Sequence, residues 1–260
     1  MSFIFGNIAG SFLNVVILRL PRDEKLTGRS HCFNCRHNLQ VLDLVPLFSY
    51  LFLLGKCRYC GRKISPRYFI IEFLTGLLFA LCFWLVNPAS VAGLILLLKD
   101  FIFIAAMLAV FMVDLEHFLI LDSVIFPIGV IILILNLVLD FLGHNFLFSP
   151  HSNFLGGLIA AAGAALPFFL IWYFSQGRWM GFGDVKLALF LGLALGWPQV
   201  FVSLMLGVIS GGLISAGLLI FTNNTLKSRL PFGTFLSFGA LISLFYGDKL
   251  LSWYLGFLGF

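Results

Sequence analysis

Charge is what this sequence has least of. Only 10% of its 260 residues are Asp, Glu, Lys or Arg, where a soluble domain carries about 25%. Acidic residues number 11, few enough that each one needs a reason. The shortage excludes a water-soluble globule of this length. With 61% hydrophobic residues and a mean hydropathy of +1.07, it leaves an integral membrane protein. Internal repeats and low-complexity linkers are missing, and no glycine-rich nucleotide loop follows a strand pattern. No basic segment precedes the first apolar run and no small-residue cleavage site follows it. That run is therefore expected to be a mature helix rather than a signal peptide. In such a chain the net charge of +5 reports topology. Lipid is the expected neighbour, and no nucleic-acid partner is expected.

What the chain has instead is apolar runs long enough to span a bilayer, about 17–25 residues each. The reading is an all-α polytopic membrane protein with about eight transmembrane helices, near 1–18, 68–86, 94–113, 122–142, 154–174, 185–197, 199–221 and 232–258. The sixth is short, and the seventh follows it across a tight "WPQ" turn. Three parts are expected: a first helix at 1–18, a polar loop domain at 19–67, and a seven-helix core at 68–260. Ten of the 16 Lys and Arg residues lie between Arg19 and Arg67. Arg178 and Lys186 flank the fifth-to-sixth connection, and Lys227 and Arg229 the seventh-to-eighth. Eight spans put all of these on one side, which the positive-inside rule makes cytoplasmic. Lys99 and Lys249 fall outside that set.

The loop reads "HCFNCRHNL" and, further on, "GKCRYCGRKIS". Cys32 and Cys35 form one C-x2-C pair, and Cys57 and Cys60 another. Two such knuckles offer four thiolates to one zinc ion, and a reducing cytoplasm disfavours disulfides. Four protein thiolates leave no open position for water, so the site reads as structural. It would staple a segment of about 50 residues with little core of its own. Cys82 lies inside the second span and reads as packing.

Most carboxylates have a bland reading. Asp23, Glu24 and Asp43 belong to the loop. Asp100, Asp140 and Asp248 lie near span ends or outer connections, where a solvated role is expected. Glu72 lies at the cytoplasmic start of the second span. Two stretches remain, "FMVDLEHFLILD" and "GFGDVKL". Asp114 ends the third span and Asp184 opens the sixth, at the same membrane face. Two carboxylates that meet in a partly desolvated site share one proton, as in an aspartic protease. Gly181 and Gly183 would let the backbone unwind there and admit an extended substrate. The competing reading makes both aspartates interfacial helix caps. Asp122 is an alternative partner, Glu116 and His117 lie close by in sequence, and Lys186 reads as an interfacial anchor. A transporter or a zinc-loop assembly factor is the non-enzymatic alternative. A transporter would place its ionisable groups near the bilayer midplane, whereas these lie at one face.

Four blocks, "GSFLNVVILRLPR" (10–22), "DLVPLFSYLFLLGKCRYCGRKISPRYFIIEFLTGLLF" (43–79), "GFGDVKLALFLG" (181–192) and "LPFGTFLSFGA" (230–240), run in order along nearly the whole chain. Together they resemble the type IV prepilin peptidases, bifunctional membrane aspartic proteases of the G-x-G-D class. The resemblance implies cleavage of the basic leader of type IV prepilins or pseudopilins after a glycine, at the cytoplasmic face of the bacterial inner membrane. It also implies methylation of the new N-terminal residue with S-adenosylmethionine, with a peptidase-only member as the alternative. It carries the catalytic pair onto Asp114 and Asp184, and the cysteine pattern of the bifunctional members onto Cys32, Cys35, Cys57 and Cys60. The chain departs from the family pattern at Leu121 and Phe33, where members often have proline.

Overall fold

A chain in lipid must satisfy its backbone polar groups internally, and the apolar runs do so as helices. The computed structural model describes residues 1–143, 152–221 and 230–257. Its helices are α1 (Ser2–Arg19), α2 (Phe48–Phe52), α3 (Arg67–Val86), α4 (Val91–His117), α5 (Asp122–Leu142), α6 (Asn153–Ser175), α7 (Phe182–Leu195), α8 (Gln199–Phe221) and α9 (Phe232–Phe257). Among the described residues there is no strand, only two isolated bridges. Seven helices, all but α2 and α7, are long and apolar enough to cross a membrane. This is a multi-pass membrane protein. Lys227 and Arg229 lie outside the described residues.

The chain divides into two compact units, Met1–Asn87 and Pro88–Phe260. In the first, α1 packs on α3 along small residues. A methyl group added at Gly6 would fall 2.8 Å from the Gly76 Cα, and one at Gly10 2.8 Å from the Glu72 Cα. Lipid gives apolar helices no reason to prefer each other over its own tails, so close backbone approach at a G-x-x-x-G stripe carries the association.

In the second unit α7 has 14 residues, about 21 Å at ~1.5 Å per residue, against a hydrocarbon core of ~30 Å. It can be short because it is enclosed by protein. Leu187, Ala188, Phe190 and Leu191 are all but inaccessible, packed in one core with Phe103, Met107, Ile132, Ala161 and Leu236. Its last turn leaves carbonyls without helical partners. Asn136 Nδ2 of α5 donates to one of them, Leu193 O, at 3.0 Å. The chain then reverses at Gly196, whose φ of 70° favours glycine.

The expectation that Asp100 and Asp140 are solvated is overturned. They are 8% and 0% exposed, and Lys99 beside them is 9% exposed. Asp140 is buried because it caps α6: its carboxylate accepts from the backbone N–H of Asn153 and of Phe154, each at 2.8 Å. Those are two of the N–H groups that a helix start leaves unpaired. Lys99 Nζ donates to Asn136 Oδ1 at 3.3 Å. Asp248 is exposed as expected and accepts from Gln199 Nε2 at 2.6 Å.

Candidate active site and metal centre

Three helix ends meet around Asp114. It lies in the last turn of α4 and is 5% exposed. Its Oδ2 accepts from the Thr234 backbone N–H at 2.6 Å and from the Thr234 hydroxyl at 3.1 Å. Thr234 is the third residue of α9, where N–H groups have no helical partner and a carboxylate is favoured. Asp114 therefore does cap a helix, but α9, far away in sequence. Asp184 lies in the first turn of α7, half-buried. It is close enough to Asp114 for the two charges to act on each other.

Neither glycine of "GFGD" has a positive φ, and only Gly183 is tightly packed. Gly181 is the extended N-cap of α7 and Gly183 lies within its first turn. A methyl group on Gly183 would fall 3.1 Å from Ile120 Cβ. Gly233, in the α9 turn, is tighter still: its added methyl would lie 3.0 Å from Asp114 Oδ2 and 3.1 Å from Ile120 Cδ1. Replacing Gly233 with alanine is thus expected to displace the Asp114 carboxylate. The initial rate of any reaction that depends on that carboxylate, measured with membranes normalised for enzyme content, should fall at least about tenfold (~1.4 kcal/mol).

Asp122 and Lys186 find each other. Lys186 Nζ lies 2.8 and 2.7 Å from the two Asp122 oxygens, with the Phe182 and Phe126 rings 5.3 and 5.6 Å away. Lys186 is thus more than an interfacial anchor: it ties the start of α7 to the start of α5. Asp122 is half-exposed and engaged there. Glu116 and His117 are exposed and 4.0 Å apart. Thr234 escaped the sequence reading. Its one signal was its place in "LPFGTFLSFGA", a polar hydroxyl just inside an apolar helix.

In the other unit the four cysteine sulfurs lie within 4.8 Å of one another. Cys32 and Cys60 Sγ are 3.8 Å apart. A tetrahedron with Zn–S bonds of ~2.3 Å has an edge of about 3.8 Å, so the sulfurs fit one tetrahedral ion. The two knuckles are built alike. Cys32 N–H donates to His37 O and Arg36 N–H to Cys32 O, while Cys57 N–H donates to Arg62 O and Gly61 N–H to Cys57 O. The fourth residue after each first cysteine, Arg36 or Gly61, has a positive φ. The Arg62 backbone N–H, then Asn34, hold the Cys60 thiol down at about 6. At Cys35 the His37 N–H also favours the thiolate, but desolvation and the neighbouring sulfurs outweigh it and push the thiol up to about 11. Four crowded thiols resist ionising together unless a cation shares their charge. This cluster can hold a metal ion.

A multi-pass helical membrane protein with a four-cysteine centre and two carboxylates brought together at helix ends is the class that fold and site define. The chain belongs to the type IV leader peptidase family. Residues 101–216 match the type IV leader peptidase family, and residues 4–86 match the Bacterial Peptidase A24 N-terminal domain. It is 32% identical to a "Prepilin leader peptidase/N-methyltransferase" of Aeromonas hydrophila, covering 97% of this chain and 92% of that one. Proteins with the same name from Bacillus subtilis (31%; 97% of this chain, 96% of that one) and Pseudomonas aeruginosa (30%; 100% and 94%) are similar over the same extent. No solved structure matches the chain.

Proposed function

We propose that this protein removes the leader peptide from type IV prepilins or pseudopilins and then methylates the exposed N-terminal amine. Its substrates reach it at the cytoplasmic face of the bacterial inner membrane. The observation that carries the peptidase half is the meeting of Asp114 and Asp184 at the ends of two helices far apart in sequence. Asp114 is the member supplied with donors from Thr234, which suits it to carry the negative charge. It takes a proton from water as the water oxygen attacks the scissile carbonyl carbon. Asp184, half-buried and beside a like charge, donates its proton to the carbonyl oxygen. Collapse of the tetrahedral species breaks the C–N bond, and the leaving amine takes up a proton. Gly181, the extended N-cap of α7, and Gly183, which leaves room for Ile120, support the site at the start of that helix.

For the second half, the cysteine centre supports the bifunctional reading over a peptidase-only one. Cys32, Cys35, Cys57 and Cys60 would hold a structural zinc ion that sets the shape of the loop. S-adenosylmethionine supplies an electrophilic methyl group when bound. The acceptor is an amine lone pair, so that amine must first shed its proton. Purified protein given a prepilin peptide and S-adenosylmethionine should yield a mature peptide heavier by about 14 Da than the plain hydrolysis product, one CH2 per transfer. Mass spectrometry showing only the unmethylated product would leave a peptidase alone, and intact substrate would refute both activities.

A further inference from the structure

The unit Met1–Asn87 contains a cavity of about 350 Å³, at the small end of the ~300–1,000 Å³ typical of ligand sites. Much of its wall is apolar, with Val15, Leu18, Leu44, Leu53 and Ile64 among its lining. Ser11 and Asn14 of α1 and Glu72 of α3 line it as well. They lie where α1 and α3 pack together, on the helical side of the points at which α1 leads into the polar loop at Arg19 and α3 leaves it at Arg67.

Asn14 is 3% exposed. Its Nδ2 donates to the Tyr68 carbonyl at 3.1 Å, which fixes the amide orientation. Its Oδ1 is buried with no partner among the described residues. Glu72, 9% exposed, accepts from the Leu47 N–H at 2.8 Å and from the Ser11 hydroxyl. A carboxylate has about four acceptor positions, so capacity remains. A buried acceptor without a donor costs ~1–3 kcal/mol. What these groups lack is a donor, and beside a carboxylate a positively charged one is favoured. A hard metal ion would want around six oxygen ligands, more than these groups supply. An ammonium with three N–H donors on an apolar body suits both these groups and the apolar wall.

We propose that this cavity is an α-ammonium site, in which Asn14 Oδ1 and Glu72 hold the N-terminal amine of a mature, apolar peptide. It rests on the function proposed above, in which that amine is the methyl acceptor: it docks as the ammonium and passes one proton to the Glu72 carboxylate beside it before its lone pair takes the methyl group. Charged side chains of both signs also line the cavity, Arg19, Arg22 and Lys63 with Glu24 and Asp43. The methyl donor carries an α-amine of the same chemistry, and the experiment separates the two sources.

Full-length protein in detergent micelles would be titrated with an apolar peptide bearing a free N-terminal amine and with its N-acetylated twin. A second pair would be S-adenosylhomocysteine and its deaminated analogue. The wild type should bind the free-amine peptide at least about tenfold more tightly than the acetylated one, a difference of ~1.4 kcal/mol. Asn14→Leu and Glu72→Gln should each reduce that preference to less than about threefold. Glu72→Gln retains an acceptor oxygen for the Leu47 N–H, so it removes charge while sparing that contact, and retained metal content reports a folded loop. If the preference appears only within the second pair and is lost in the same variants, the ammonium site stands with the donor's amine in it. Equal binding within both pairs overturns the proposal, as does a preference that survives both substitutions. Because the readout is binding, a protein that binds amines but transfers no methyl group refutes methylation while leaving this site intact.

Discussion

Asp184→Asn and Asp114→Asn are each expected to abolish leader cleavage while the protein still accumulates in the membrane. Asparagine keeps size and, at position 114, keeps an acceptor oxygen for the Thr234 N–H that Asp114 now receives. The cap on α9 is therefore largely preserved. What is lost is the titratable group, and general acid–base catalysis is worth ~10²–10⁴-fold in rate. The drop should lie in that range or beyond it for both positions, measured as initial rate of prepilin cleavage by membranes normalised for enzyme content. Asp122→Asn should cost much less, since Asp122 is half-exposed and paired with Lys186, and exposed pairs contribute only ~0–1 kcal/mol. Near wild-type cleavage by either dyad variant would sink the assignment. Full loss in Asp122→Asn with an active Asp114→Asn would exchange the two residues.

Removing the metal should divide the two activities. Wild-type protein should carry about one zinc per chain, since the four sulfurs lie within 4.8 Å and suit one tetrahedral ion. A Cys57→Ser, Cys60→Ser double variant should bind none, and Cys82→Ser should keep it, because Cys82 is buried in α3 away from the knuckles. The two knuckles hold their own backbone turns, but little apolar surface backs them: Phe33, Val41, Leu42 and Phe52 are exposed. A structural zinc in such a segment contributes roughly 10–16 kcal/mol of apparent binding energy, so its loss collapses the loop. Methyl transfer to a pre-cleaved pilin should then disappear, while cleavage, carried by Asp114 and Asp184, falls less. Mass spectrometry of the mature N-terminus decides between the outcomes. A fully methylated product refutes the division, and equal loss of both activities makes the loop a shared scaffold. Binding displaces thiol protons, so acid should release the metal, with Cys35, raised to about 11, the ligand that most resists ionising.

How much of this was legible beforehand follows from which forces act locally. Lipid as solvent demands apolar runs with internally paired backbones, so the composition of each segment determined where the spans lie. The sixth was expected at 185–197 and runs Phe182–Leu195, which takes Asp184 into its first turn. The cysteine tetrad was equally legible, because each C-x2-C pair is closed by hydrogen bonds spanning a few residues. The motif around Asp184 and the resemblance of four ordered blocks supplied the family.

Pairings between segments were not legible. Nothing near Asp114 in sequence announces Thr234 as its donor, or Lys186 as the partner that engages Asp122. Asp100 and Asp140 read as solvated charges because they sit near span ends. The burial of Asp140 depends on α6 starting where its carboxylate can cap it. Asn14 likewise looks like an ordinary polar residue in a first helix until Tyr68 takes its amide N–H and leaves its oxygen buried. The sequence by itself determined that the chain enters the membrane, about how many times, and where it can hold a metal. Only the tertiary structure decided which helix ends share a site. Between apolar helices in lipid there is no hydrophobic gradient to read, and association turns on the meshing of small residues and a few buried hydrogen bonds.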